Sequence, residues 1–407
     1  MNMRNKIVIS MIFILFLSIP GCSNSEEAVF NPPAAGTVPH AGQYGSFADY
    51  LRQVKSHIRK NRHFQGKQQI EIEVLANTPF ELLPDEQRCH GKEREQKGVL
   101  LIHGLSDSPF SMKDIGQKMA ESCFLVRTIL LPGHGTRPGE LLGVTAEDWI
   151  RTARFALETM KQEVTHVYLG GFSTGANLSV WLALNDPAVR GLILFSPAFA
   201  LKYEYSGMIR FLDLFMDWLA QWPEDDYARY NSFSINALKQ FYVTSDLLKQ
   251  GFEEGRELKI PVFMALSMDD SVVNVEYVRR IFQQRFKSPS NRLMVFAKNP
   301  ISEYDSLDKR VIYRKSNLKE NQIVSFSHMA IPFAPHNPHY GKSGDYRNCL
   351  ISNDKDQMNN CRSAPQDKLW YGPYGVEREE GKSYARLTYN PYFDEMTNMM
   401  RQTLKHD

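Results

Sequence analysis

The sequence predicts an α/β protein: a mostly parallel central sheet with helices on both faces and a helical cap insertion. Three observations predict it. Short apolar runs recur at 98–102, 124–131, 166–169, 191–195 and 261–266, each the continuous kind expected of strands buried on both faces. Segments of helical character separate them, at 146–162, 174–184 and 275–286, and that alternation indicates crossover connections between parallel strands. At 407 residues, 43% hydrophobic and 23% charged, the chain suits one large domain with insertions or two smaller ones.

The elements follow in chain order. Arg4 and Lys6 precede an apolar run at 7–19, and Pro20, Gly21 and Cys22 end it. Residues 1–21 therefore read as a secretory signal; about 13 apolar residues fall short of the ~20 of a spanning helix. Ile19, Pro20, Gly21 and Cys22 resemble the lipobox of bacterial lipoproteins, with Pro20 where a small residue is usual. That resemblance implies an acylated Cys22 as the first mature residue and membrane attachment through it. Ser23 in second place resembles lipoproteins sent to the outer membrane, facing the periplasm or the cell surface.

Residues 22–45, rich in Pro, Gly, Ala and Ser, read as a flexible tether. The first half of the core spans 46–200. It opens with a helix over 47–63 and a strand over 70–74, where Ile70, Ile72 and Val74 alternate with Glu71 and Glu73. Residues 201–259 break the strand rhythm, are helical and rich in aromatics and Met, and form the cap. The second half of the core is 260–331. A loop-rich extension follows at 332–389, and Asn390 with Pro391 offers a cap and first-turn proline for a last helix, 390–407.

The formal net charge is +2, so no strong field argues for nucleic acid. Setting Cys22 aside leaves Cys89, Cys123, Cys349 and Cys361. An even count in an exported chain suggests two disulfides, with three connectivities open. One arrangement pairs Cys349 with Cys361 across a short polar loop and Cys89 with Cys123 around the first core strand and its helix. Zinc ligation would need closer cysteine spacing, and His336 with His339 lacks further ligands.

The chemistry centres on Gly171, Phe172, Ser173, Thr174 and Gly175. By chance the bare pattern occurs in roughly one such chain in ten. Its setting is more specific: a strand at 166–169 leads in and a helix from Thr174 leads out, the strand–turn–helix context of a nucleophile elbow. A serine hydroxyl needs a base to take its proton, and the partners of such an elbow follow in the order acid, then histidine. After the 261–266 strand come Asp269 and Asp270; Asp270 is preferred, with Asp269 as rival. His328 follows an expected strand at 322–326 and is the candidate base. The backbone N–H groups of Leu105 and Thr174 are the candidate oxyanion donors.

The run from Gly98 to Leu105, the Leu131-Pro-Gly-His-Gly135 turn and the serine pentapeptide together resemble the monoacylglycerol lipase and bacterial carboxylesterase branch of the α/β-hydrolases. The resemblance spans roughly residues 97–335. It implies an α/β-hydrolase fold, a Ser173–Asp270–His328 triad, acyl transfer from a small-molecule or lipid ester to water, and neither metal nor organic cofactor. His134 is then a loop-shaping residue rather than a catalytic one. In the cap, residues such as Tyr203, Tyr205, Met208, Phe211, Leu214, Phe215, Met216 and Leu219 admit two readings: a cap core packed on the sheet, or an acyl tunnel or lipid-facing lid. The second makes a monoacylglycerol or lysophospholipid the expected substrate. A peptidase, with Glu224, Asp225 and Asp226 binding an amine, and an acyltransferase are the alternatives.

Overall fold

The computed structural model describes residues 28–31, 44–66, 69–85, 88–89, 96–299, 308–377 and 379–405. The signal segment, Cys22 and nearly all of the tether lie outside the described residues. Ten strands and ten α-helices position the candidate site: α1 (Phe47–Asn61), α2 (Ile70–Asn77), β1 (Glu81–Leu82), β2 (Lys97–Ile102), α3 (Lys113–Ala120), β3 (Phe124–Ile129), α4 (Ala146–Lys161), β4 (His166–Phe172), α5 (Thr174–Asn185), β5 (Val189–Phe195), α6 (Ser206–Leu212), β6 (Trp218–Ala220), β7 (Phe233–Ser234), α7 (Ile235–Glu253), β8 (Val262–Ser267), α8 (Val275–Arg285), β9 (Arg292–Ala297), β10 (Val311–Lys315), α9 (Lys355–Ser363) and α10 (Phe393–Thr403). Two further short strands, β11 (Leu369–Gly372) and β12 (Ser383–Arg386), pair with each other in parallel.

The central sheet has the order β1-β3-β2-β4-β5-β8-β9-β10. Only β1 runs antiparallel to its neighbour; β3 to β10 pair in parallel. The inner strands are buried along nearly their whole length, which is why their sequences are continuous rather than alternating. One face packs against α1, α4, α5, α7 and α8, the other against α3 and α10. From β2 the chain moves outward to β3, then crosses back to β4 on the other side of β2. The carboxyl ends of β2 and β4 therefore lie side by side at a switch point, where open α/β sheets gather ligand-binding loops.

Four local expectations are corrected. Residues 70–74 form part of α2, not a strand: Glu73 and Val74 are buried, as are Ala76 and Asn77, a helical spacing. Glu73 is drawn inward by Arg62, whose Nε donates to its carboxylate at 2.9 Å. A period-two pattern over five residues yields there to a tertiary ion pair and to good helix formers. The apolar stretch 322–326 is likewise no strand; Gln322 is left-handed at φ +58°, which turns the chain, and Ile323 makes only isolated bridges. The strand before the histidine loop is β10, at the sheet edge. In the extension, α9, β11 and β12 order what reads as loop, and the last helix starts at Phe393 because the Asn390 side chain accepts from Tyr392 N instead of capping from its own position.

Both cysteine pairs form disulfides, Cys89 with Cys123 and Cys349 with Cys361. The second sits in a small core with Leu369 and Ala385. Among the described residues no helix is long and apolar enough to cross a membrane.

Candidate active site

Ser173 stands between β4 and α5 with φ +54° and ψ −115°, a conformation that L-residues adopt only under strain. The turn is that sharp because strand and helix nearly touch. A Cβ on Gly175 would lie 2.1 Å from the Ile102 carbonyl oxygen, and one on Gly171 would lie 2.3 Å from the Gly175 carbonyl carbon. Neither gap admits a side chain. The elbow lifts the serine hydroxyl to the carboxyl end of the sheet.

His328 reaches it from the loop beyond β10. Its Nε2 lies 3.0 Å from Ser173 Oγ, and its Nδ1 lies 2.6 Å from Asp270 Oδ2. The other Asp270 oxygen accepts from Val272 N at 2.7 Å and Val273 N at 3.1 Å, so the buried carboxylate is held in one orientation. Nδ1–H donates to that acid, which leaves Nε2 free to accept the serine proton. Asp269 turns away and pairs with Lys298 at 3.4 Å. The histidine loop is fastened on three sides. Ser196 Oγ donates to the His328 carbonyl at 3.0 Å, Ser267 Oγ to Phe326 O at 2.9 Å, and Ser327 Oγ to Leu387 O at 2.5 Å.

The loop after β2 runs against the nucleophile: a Cβ on Gly104 would sit 3.2 Å from Ser173 Cβ. His103 and His134 shape this loop. His103 Nε2 accepts from Leu131 N and His134 Nε2 accepts from Ser106 N, each at 3.0 Å. Burial pushes the pKa of His103 well down and that of His134 to about 4, which keeps both rings neutral and able to accept. Among the described residues the N–H groups of Leu105 and Thr174 donate to no protein acceptor. That leaves two backbone donors beside Ser173, one of them in the first turn of α5, where the helix dipole favours negative charge.

Residues 93–298 match the profile of the family described as serine aminopeptidase, S33. The chain belongs to this α/β-hydrolase family. It is 29% identical over 111 residues to a thermostable monoacylglycerol lipase of Bacillus sp. (strain H-257), covering 27% of this chain and 44% of that protein. It is 22% identical over 192 residues to a carboxylesterase of Bacillus subtilis (strain 168), covering 46% and 78%. The match thus spans less than half of the first relative's length. Among solved structures, a monoacylglycerol lipase of Paleococcus ferrophilus is 20% identical, with 54% of this chain and 88% of that one covered at a TM-score of 0.43.

The remaining expectations for this α/β-hydrolase fall out unevenly. In the cap, Ile209 is buried, but Phe211 is 62% exposed, Leu214 73%, Phe215 71% and Leu219 50%. They are not a cap core. Glu224 accepts from Asn231 N and Ser232 N, Asp225 pairs with Arg362, and Asp226 accepts from Ala228 N, His339 and Tyr340. These acids are engaged internally rather than turned toward a substrate amine. His339 sits between Asp226 and Asp345, at 2.9 and 2.5 Å, and among the described residues no group of three His, Cys, Asp or Glu could hold a metal. Sequence reasoning passed over Arg229, which reaches toward both Ser106 in the loop after β2 and the residue after His328; it stands in an aperiodic stretch that gave no signal.

Proposed function

We propose that this chain is a serine hydrolase that cleaves lipid-like carboxylic esters, a monoacylglycerol or lysophospholipid, through an acyl-enzyme. The observation that carries the reading is the hydrogen-bonded line Ser173–His328–Asp270 at 3.0 and 2.6 Å. In the first step His328 Nε2 takes the Ser173 proton as Oγ attacks the ester carbonyl. Leu105 N–H and Thr174 N–H receive the oxyanion. Asp270 holds the imidazolium, and His328 then protonates the departing alcohol. In the second step His328 deprotonates water, which releases the acid and restores the serine.

The lipid-like substrate is supported by the exposed apolar face of the cap, since a contiguous exposed apolar patch marks an interaction surface. The names of the two Bacillus relatives agree with an ester substrate. Export and lipid attachment through Cys22 are part of the same proposal. They are supported by the signal-like residues 1–21 and by two disulfides, which persist in oxidising compartments. Such a lipoprotein at the outer membrane would meet its substrates at the bilayer surface.

A chain-length series of nitrophenyl esters and singly acylated lipids tests the activity, with Ser173→Ala as control. Turnover that survives in the alanine variant would exclude the mechanism. Palmitate labelling of the full chain, lost in Cys22→Ser, tests the anchor.

A further inference from the structure

Arg229 bridges the two loops that carry the candidate machinery. Its guanidinium lies 3.4 Å from Ser106 Oγ and 3.7 Å from Met329 Sδ, the residues immediately after Leu105 and His328. Both contacts are long and neither acceptor is charged, whereas a satisfied guanidinium takes charge-assisted bonds of ~2.7–2.9 Å. Its Nε is buried and without a partner.

Arg386, the last residue of β12, is the second member. Its guanidinium has a buried, unpartnered Nε and forms no hydrogen bond or ion pair among the described residues. It lines a cavity of about 150 Å³ together with Arg347, Asn348, Tyr346, Tyr371 and Thr388. Asn348 Nδ2 lies 3.5 Å from the same Met329 Sδ that Arg229 approaches, so the buried Met329 stands between Arg229 and this wall of the cavity, while Arg386 adjoins Leu387, whose carbonyl accepts from Ser327 beside His328. Burial and the repulsion of Arg229 push the Arg386 guanidinium down to about 10.

Two of the acids around this pair are held by other groups. Asp226 is held by His339 and Tyr340, and Asp270 by His328 and two backbone N–H groups. Asp107 is buried, which raises its pKa to about 6; its Oδ2 has no partner among the described residues, and with Tyr340 and Asp226 it outweighs burial to keep the Arg229 guanidinium charged from beyond ion-pair distance. Both arginines are only partly buried, and with no carboxylate among the described residues within ion-pair distance of either they keep donors open to an incoming anion.

We propose that Arg229 and Arg386 form an anion subsite beside Ser173 that selects esters carrying a phosphate or carboxylate on the alcohol side. The inference rests on the ester-hydrolase reading above and narrows its substrate to a singly acylated lipid with an anionic headgroup. The planar fork of arginine suits such an oxyanion, and the exposed apolar cap residues serve the acyl chain.

The test compares octanoyl lysophosphatidic acid with octanoylglycerol, both kept monomeric, using the full chain. The readout is the ratio of their kcat/KM values. Wild type is expected to favour the anionic lipid at least tenfold, and Arg229→Gln and Arg386→Gln to bring the ratio toward one. Arg386→Lys should restore part of it. A ratio near one in wild type, or equal losses on both lipids in the variants, would overturn the subsite. Inhibition by inorganic phosphate with no preference between the lipids would assign the pair to a free anion and overturn the substrate assignment. Binding of the same two lipids to Ser173→Ala separates the two readings. Charge preference in binding without any turnover in wild type would sink the hydrolase reading while keeping the subsite. Turnover with no charge preference would sink the subsite alone.

Discussion

The Ser327 hydroxyl donates to the Leu387 carbonyl at 2.5 Å, so the residue before His328 is bonded to the C-terminal extension. Phe333 O also accepts from Asn390 N, and Ala334 N donates to Asp114 at 2.8 Å. The extension is therefore part of the support for the imidazole. The Cys349–Cys361 disulfide closes a segment of this support with a sequence separation of 12.

Replacing both cysteines of that pair by serine is expected to lower stability by about 2–3 kcal/mol, the loop-closure value for so short a segment. Because Ser327 depends on the extension, kcat should fall more than KM rises. Thermal melting together with steady-state kinetics on a soluble ester checks it; an unchanged kcat would separate the extension from the histidine.

Asp270→Asn should reduce kcat roughly 10³–10⁴-fold, since an amide no longer fixes the tautomer that leaves Nε2 able to accept. Asp269→Asn should change it little, because that carboxylate pairs with a partly exposed Lys298 and such pairs are weak. Equal effects of the two substitutions would contradict the geometry.

His339 introduces a pH dependence of another kind. Burial alone would lower its pKa, but the Asp226 and Asp345 carboxylates outweigh burial and raise it above 6.5. A raised folded value means stabilisation that is complete below the unfolded pKa and lost as pH rises through the folded one. Tyr227, Tyr340 and Tyr346 surround the ring and stay protonated there, because burial and the nearby acids raise their own pKa values. Chemical denaturation across neutral to mildly alkaline pH should show stability falling, and His339→Gln should flatten that slope.

Substituting Phe211, Leu214 and Phe215 together by serine should weaken adsorption to lipid vesicles at least tenfold, each large apolar side chain being worth ~1.5–3 kcal/mol when buried. Turnover of a short soluble ester should change little. Vesicle sedimentation read beside that turnover distinguishes a docking face from a structural one.

The elbow was legible because its constraint is local: two glycines, an apolar strand and a helix within a dozen or so residues leave few other ways to fold. Asp270 and His328 were legible through their order after strands, although the expected strand at 322–326 was the wrong one. β9 and β10 went unanticipated; Arg310 and Arg314 flank the short apolar centre of β10, an edge strand that is only half-buried. Alternation at Ile70, Ile72 and Val74 misled because Glu73 turns inward to Arg62, a partner 11 residues back whose pull no window of hydropathy contains. Arg229 and Arg386 stand far apart in the chain, and nothing periodic marks either.

The left-handed backbone at Ser173 also bears on shelf life. A non-glycine residue held there costs on the order of 1–3 kcal/mol, so the protein gives up part of its heat tolerance to keep its nucleophile aimed. Ser173→Gly should relieve most of that burden and, after the extra chain entropy of glycine, melt a few degrees higher than the active form. Robustness and reactivity would then be opposed at a single atom group, and a search for hardier variants by melting alone would drift toward dead protein.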